Sequence, residues 1–148
     1  YLLQKKEKVL PTAPFDDRIG IFTFAGDLGL RWKHNAYVGY SRDKWNFSVS
    51  QIYRSGYDNQ KLPGVASGAI NPPNFNEKVS DYFLYNASIS YEGLLHGTTI
   101  TLGVRNIFNT NPPFAITYDS NFGSGSSWEP RVADPRGRSF TLLWDFKF

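Results

Sequence analysis

Apolar and polar residues alternate along several stretches of this chain. The clearest stretch is 139–148, S-F-T-L-L-W-D-F-K-F. Side chains in a strand point to opposite faces with period two. Phe140, Leu142, Trp144, Phe146 and Phe148 therefore share one face, while Ser139, Thr141, Leu143, Asp145 and Lys147 share the other. The length matches a tilted membrane-spanning strand of roughly 9–11 residues. The same period predicts strands over 82–91 and 98–108. In the first, Phe83, Tyr85, Ala87, Ile89 and Tyr91 oppose Asn86, Ser88 and Ser90; in the second, Ile100, Leu102 and Val104 oppose Thr99, Thr101 and Arg105. Upstream, 45–53 sets Trp45, Phe47, Val49 and Tyr53 against Asn46, Ser48 and Ser50. Residues 31–40 place Trp32, Ala36, Val38 and Tyr40 on one side, interrupted by His34. Residues 1–10 read as a poorer strand ended by Pro11 and Pro14, although their Lys/Glu stretch suits a short helix equally well.

The connections between these strands run long, short, long, short, long. Residues 11–27 read as a loop whose apolar patch at 19–24 suits a short hairpin or strand extension. Residues 55–80, with Asn71-Pro72-Pro73-Asn74, and residues 109–138 are further long loops. Residues 41–44 and 92–97 are short turns. Transmembrane barrels alternate in this way, with short periplasmic turns and long extracellular loops. The prediction is an all-β, antiparallel up-and-down meander of about six transmembrane strands. Six strands leave two open edges, and unpaired backbone groups in hydrocarbon cost several kcal/mol each. The meander must then be part of a larger outer-membrane β-barrel. The same parity puts Tyr1 and Phe148 on the periplasmic side. A soluble β-sandwich that binds carbohydrate through Tyr and Trp is the rival architecture; it explains the aromatics but not the alternation of connection lengths. No helical period stands out.

Composition fits this picture. Aromatic residues make up 17% of the chain, with nine Tyr, twelve Phe and four Trp, as interface girdles need. Mean hydropathy is −0.41, which alternation in barrel strands readily produces. No apolar run is long enough for a transmembrane helix. Without cysteine there is neither a disulfide framework nor a Cys-ligated metal site. A net charge of +3 is too small to argue for nucleic acid, and no basic cluster is interleaved with an RNA-binding signature. Tyr1-Leu2-Leu3 runs directly into Gln4-Lys5-Lys6-Glu7-Lys8, with no signal peptide, so an exported protein would be a mature or truncated product. His34 and His96 stand alone, and Asp16, Asp17 and Asp43 have no His or Cys partner at metal spacing. No G-x-S-x-G or phosphate loop is present. The expectation is a protein that is not an enzyme and carries no cofactor or metal.

Several segments in order carry a resemblance. They are Leu102-Gly103-Val104-Arg105-Asn106-Ile107-Phe108-Asn109, Asn111-Pro112-Pro113, Asp134-Pro135-Arg136-Gly137-Arg138, and the aromatic-ended last strand. Leu30-Arg31-Trp32-Lys33 and Tyr53-Arg54-Ser55-Gly56-Tyr57 precede them. Together they resemble the C-terminal end of a TonB-dependent outer-membrane receptor. The resemblance implies a 22-stranded barrel plugged by an N-terminal domain, and energised uptake of a scarce ligand such as a siderophore, vitamin B12 or a glycan. Its partners would be the remaining strands and plug of the same receptor, lipid and lipopolysaccharide, and TonB through an N-terminal part that this chain lacks. The barrel assembly machinery would read the terminal strand, Phe140, Leu142, Trp144, Phe146 and Phe148, as an assembly signal. A receptor fragment held by that machinery fits the same sequence.

On this reading Thr99, Thr101 and Arg105 face the lumen or plug, with Arg105 paired to a carboxylate there. Phe114, Tyr118, Trp128 and Arg131, in the last long loop, are candidate ligand contacts. Asp134 to Arg138 sets a turn into the last strand, and Arg136 and Arg138 are placed to meet lipopolysaccharide head groups.

Overall fold

Five long strands, paired in chain order, dominate the computed structural model, which describes residues 1–8, 11–23, 27–73, 75, 77–117 and 127–147. In chain order the elements are β1 (Lys6–Glu7), β2 (Asp16–Asp17), β3 (Lys33–Arg42), β4 (Trp45–Arg54), β5 (Tyr57–Asp58), a single helical turn α1 (Pro63–Ala66), β6 (Lys78–Val79), β7 (Tyr82–Glu92), β8 (Thr98–Arg105) and β9 (Ser139–Phe146). The main sheet has the order β3-β4-β7-β8-β9, and β1-β2 and β5-β6 form separate two-stranded pairs. The protein is all-β and its sheets are antiparallel, as the alternation predicts. Among the described residues no helix is long and apolar enough to cross a membrane, a fact that is silent about strands.

The chain divides into two compact units. One comprises Tyr1–Lys33, Arg54–Tyr82 and Pro112–Pro135, which takes in the long connections. The other comprises His34–Tyr53, Phe83–Asn111 and Arg136–Phe148, which is the sheet with its short turns.

In the sheet unit the register keeps like faces together. Ile89 lies opposite Leu102, which lies opposite Leu142; Tyr91, Ile100 and Trp144 form the next row, and Ala87, Val104 and Phe140 another. The intervening rows are Ser90–Thr101–Leu143 and Ser88–Gly103–Thr141. A slip of one residue would turn every apolar side chain to the polar face, so this pairing is what the sequence pattern demands. The turn from β3 to β4 uses Asp43 at positive φ, and the turn from β7 to β8 uses Gly93 and Gly97 in the same region. Thr98 closes that second turn, its hydroxyl donating to the Leu95 carbonyl at 2.8 Å.

In the loop unit, Leu28, Leu30, Tyr57, Val79 and Ala115 form a buried core, with Phe22 and Val132 against it. The β1–β2 pair lies in the same unit, and the Leu2 amide donates to the Arg31 carbonyl at 2.8 Å.

Three expectations need correction. Residues 1–8 supply only Lys6–Glu7, paired with Asp16–Asp17, and not a full-length strand of the main sheet. Leu2 and Lys5 instead bond to Arg31 and Arg18, and the alternation there was too weak to specify a spanning strand. The strand predicted over 98–108 stops at Arg105, because Asn106 and Asn109 take positive φ, a conformation asparagine tolerates well. The apolar patch at 19–24 forms no hairpin among its described residues; Ile21 makes a parallel bridge to Asp58 instead.

Candidate functional site

The loop unit gathers polar and aromatic groups around its small core. Arg131 lies two residues from Glu129, close enough for its planar fork to fold back on the carboxylate. Nε donates to Glu129 Oε1 at 2.8 Å and Nη2 to Oε2 at 3.0 Å, a bidentate pair. Nη2 also donates to the Thr23 carbonyl at 2.9 Å, and the guanidinium lies 5.5 Å from the Phe22 ring centroid. Glu129 is only 5% exposed. The hydrogen bond it donates to Glu129 holds the Arg131 guanidinium even more firmly protonated than usual. Arg131, a candidate ligand contact by sequence, thus joins residues 129–131 to the segment carrying Phe22 and Thr23.

The other candidate contacts are placed unequally. The Ala115 amide donates to the Ser127 carbonyl at 2.9 Å, which brings the segments bearing Phe114 and Trp128 together. Phe114 is exposed while its neighbour Ala115 is buried. Tyr118 lies outside the described residues.

Two residues that sequence reasoning missed hold this unit together. Asn59 is buried, and its Oδ1 accepts from the Ile116 amide at 2.7 Å and from the Gln60 amide at 3.0 Å. Tyr57 is buried in the core, and its hydroxyl has no hydrogen-bond partner among the described residues. Burial first, then the Glu129 charge, push its phenol well above the ordinary range. In the sequence Tyr57 stood only at the end of a segment quoted for the resemblance and at the start of a long loop, and neither carries information on burial.

The sign of the Tyr57 effect is fixed. From about pH 10, where an ordinary phenol ionises, the unfolded chain releases this proton while the folded chain keeps it. Stability therefore falls as pH rises through that window. Tyr57→Phe should abolish this alkaline loss. It should also add about 1 kcal/mol at neutral pH, because the unsatisfied hydroxyl disappears. Denaturant titrations of parent and variant at neutral and alkaline pH measure both, and a less stable variant would mean that the hydroxyl has a partner.

A cavity of about 760 Å³ opens in the same unit, lined by residues of 19–20, 55–58 and 78–81 together with Arg31. Its walls are closely fitted. The Gly56 amide donates to Asp81 Oδ1 at 2.7 Å, and a Cβ at Gly56 would stand 2.5 Å from the Val79 carbonyl oxygen. Glycine is what this approach requires.

The sheet unit carries the other predicted groups. Thr101 lies opposite Leu143 and is bonded to the Ser90 hydroxyl at 2.8 Å; Thr99 lies opposite Asp145, and Arg105 opposite Ser139. On the same face Ser48 bonds Ser88 at 2.7 Å and Asn86 donates to Ser50 at 3.1 Å. These short polar links tie β4, β7 and β8 on one side. Leu143 is the exposed apolar exception.

The opposite face is apolar and uncovered: Leu102 is 52% exposed and Leu142 68%. Rings cluster toward its short-turn end, where Trp45 lies 4.5 Å from Tyr91 and 6.1 Å from Phe47, and Trp144 lies 5.1 Å from Phe146. Tyr53 and Phe83, at 4.7 Å, form a ring pair toward the other end. Here too His34 has partners, bonding Gln51 at 2.9 Å and lying 5.2 Å from the Tyr53 ring. In the last strand Phe140, Leu142, Trp144 and Phe146 all lie on this face, and all are exposed. Phe148 lies outside the described residues. No group of three or more His, Asp or Glu side chains is arranged to hold a metal among the described residues.

Comparisons with protein-family models, curated proteins and solved structures gave no match.

Proposed function

We propose that this chain forms C-terminal strands of a TonB-dependent outer-membrane receptor barrel, serving energised uptake of a scarce ligand. The observation that carries the reading is the uncovered apolar face of the five-stranded sheet. Its middle is aliphatic, with Val49, Ala87, Ile89, Leu102, Val104 and Leu142, and rings flank that band toward both ends. An outward apolar band between aromatic girdles is the pattern of a transmembrane barrel. A sandwich would cover such a face with a second sheet about 10 Å away. The only other sheets among the described residues are two-stranded.

On this reading the polar face, with Thr99, Thr101 and Arg105, looks toward lumen and plug. β3 and β9 are open edges that further strands of the same receptor pair. The long connections are extracellular, and the chain end beyond β9 is periplasmic, where the assembly machinery meets the terminal aromatic strand. The protein is not an enzyme and needs no cofactor.

The test uses the absence of native cysteine. Nitroxide labels on Ile89→Cys, Leu102→Cys and Leu142→Cys, in the chain reconstituted into lipid, should relax faster with lipid-soluble oxygen than with an aqueous nickel chelate. The reverse preference at all of them would end the membrane assignment.

A further inference from the structure

We propose that the cavity of about 760 Å³ in the loop unit binds a small zwitterion, a ligand with an ammonium and a carboxylate on a short backbone. Two of its lining residues are Arg31 and Asp58. Among the described residues neither side chain makes a hydrogen bond or ion pair. Several other charges of the same unit are matched: Lys5 with Glu7 at 3.0 Å, Lys33 with Asp27 at 3.1 Å, and Arg131 with Glu129 at 2.8 Å. An unmatched guanidinium and an unmatched carboxylate bordering one cavity ask for a ligand that carries the opposite pair. The guanidinium takes a carboxylate through two parallel bonds, and Asp58 takes the ammonium.

The cavity is held in shape before any ligand arrives. β5 pairs with β6, the Asp58 amide donates to the Gly20 carbonyl at 2.6 Å, and Asp81 is committed to the Gly56 amide at 2.7 Å. Tyr57 and Val79, both buried, give it an apolar floor. A fixed wall lowers the ordering cost of binding, and the volume lies within the roughly 300–1,000 Å³ of small-molecule sites. A ligand of one charge sign would be repelled by one member of the pair. An uncharged sugar could hydrogen-bond to both side chains but would leave neither charge compensated.

As a statement about transported cargo, this rests on the receptor reading; as a statement about binding, it rests on the cavity alone. The test is calorimetric titration of the full chain in detergent with trialanine, with N-acetyl-trialanine amide, with glycine and with maltotriose. Trialanine should bind, and its capped form should bind about tenfold more weakly or not at all. Arg31→Gln and Asp58→Asn should each weaken trialanine about tenfold without changing the response to the capped peptide. Glycine binding as tightly as trialanine supports a site for free amino acids; weaker glycine binding supports one for peptides. No trialanine binding, or equal binding of capped peptide or maltotriose, overturns the proposal. A nitroxide at Leu102 in the same sample reports the membrane reading separately, so either reading fails without the other.

Discussion

Replacing Leu102 with arginine is expected to destabilise the inserted protein by about 2–4 kcal/mol, the cost of a cation on the lipid side near the bilayer midplane. Leu102 is central on β8, with Ile89 and Leu142 opposite it on either side. All three belong to the uncovered apolar face. Thr101, one residue earlier, points to the other face and bonds the Ser90 hydroxyl at 2.8 Å. Thr101→Arg should therefore lose little more than one hydrogen bond, about 1 kcal/mol. Guanidinium unfolding of both variants in lipid vesicles supplies the comparison. Cost should also depend on depth: Trp144→Arg, nearer the short-turn end of the same face, should be milder than Leu102→Arg. Similar losses at Leu102 and Thr101 would mean that the strand has no lipid side.

The strands of the sheet were legible because each writes its two faces into the sequence. In β7 the series Phe83, Tyr85, Ala87, Ile89, Tyr91 is unbroken, and the strand spans Tyr82–Glu92 against a predicted 82–91. β9 and β4 read as clearly, since alternation is a local property that needs no partner to be visible. Strand ends were harder to read. Nothing in the apolar pattern of Ile107 and Phe108 announces that Asn106 turns to positive φ and ends β8, although paired asparagines are a fair turn signal.

The loop unit was largely illegible, for a different reason. Its contacts join distant segments: Arg131 meets Thr23, Asn59 meets Ile116, and Tyr57 pairs with Val79. Such contacts depend on where the strands deliver their ends, which no local period records. The sequence could mark Phe114, Trp128 and Arg131 as interesting residues of a long loop. It could not show that Glu129, two residues away, already holds Arg131, nor that Arg31 and Asp58 border one cavity.

Arg131→Ala separates these two roles for the arginine. If Arg131 acts mainly to hold the loops together, its loss leaves the Glu129 carboxylate buried without its main partner. Breaking a buried pair from one side costs about 3–5 kcal/mol. Arg131 itself is partly exposed, with 32% of its side chain accessible, so water can reach the gap and the lower end of that range applies. Replacing both members, as Glu129→Leu with Arg131→Met, should recover most of the loss, because the uncompensated charge is gone and the volume is kept. The damage should stay within the loop unit. Hydrogen exchange should quicken at the amides of Ala115, Ile116, Val132 and Ala133, which now bond Ser127, Asn59 and Glu129, while amides of β7 and β8 keep their protection. A loop unit unaffected by Arg131→Ala would return the arginine to the surface as a candidate ligand contact. Global loss of protection in β8 would show instead that the loops and the sheet unfold as one.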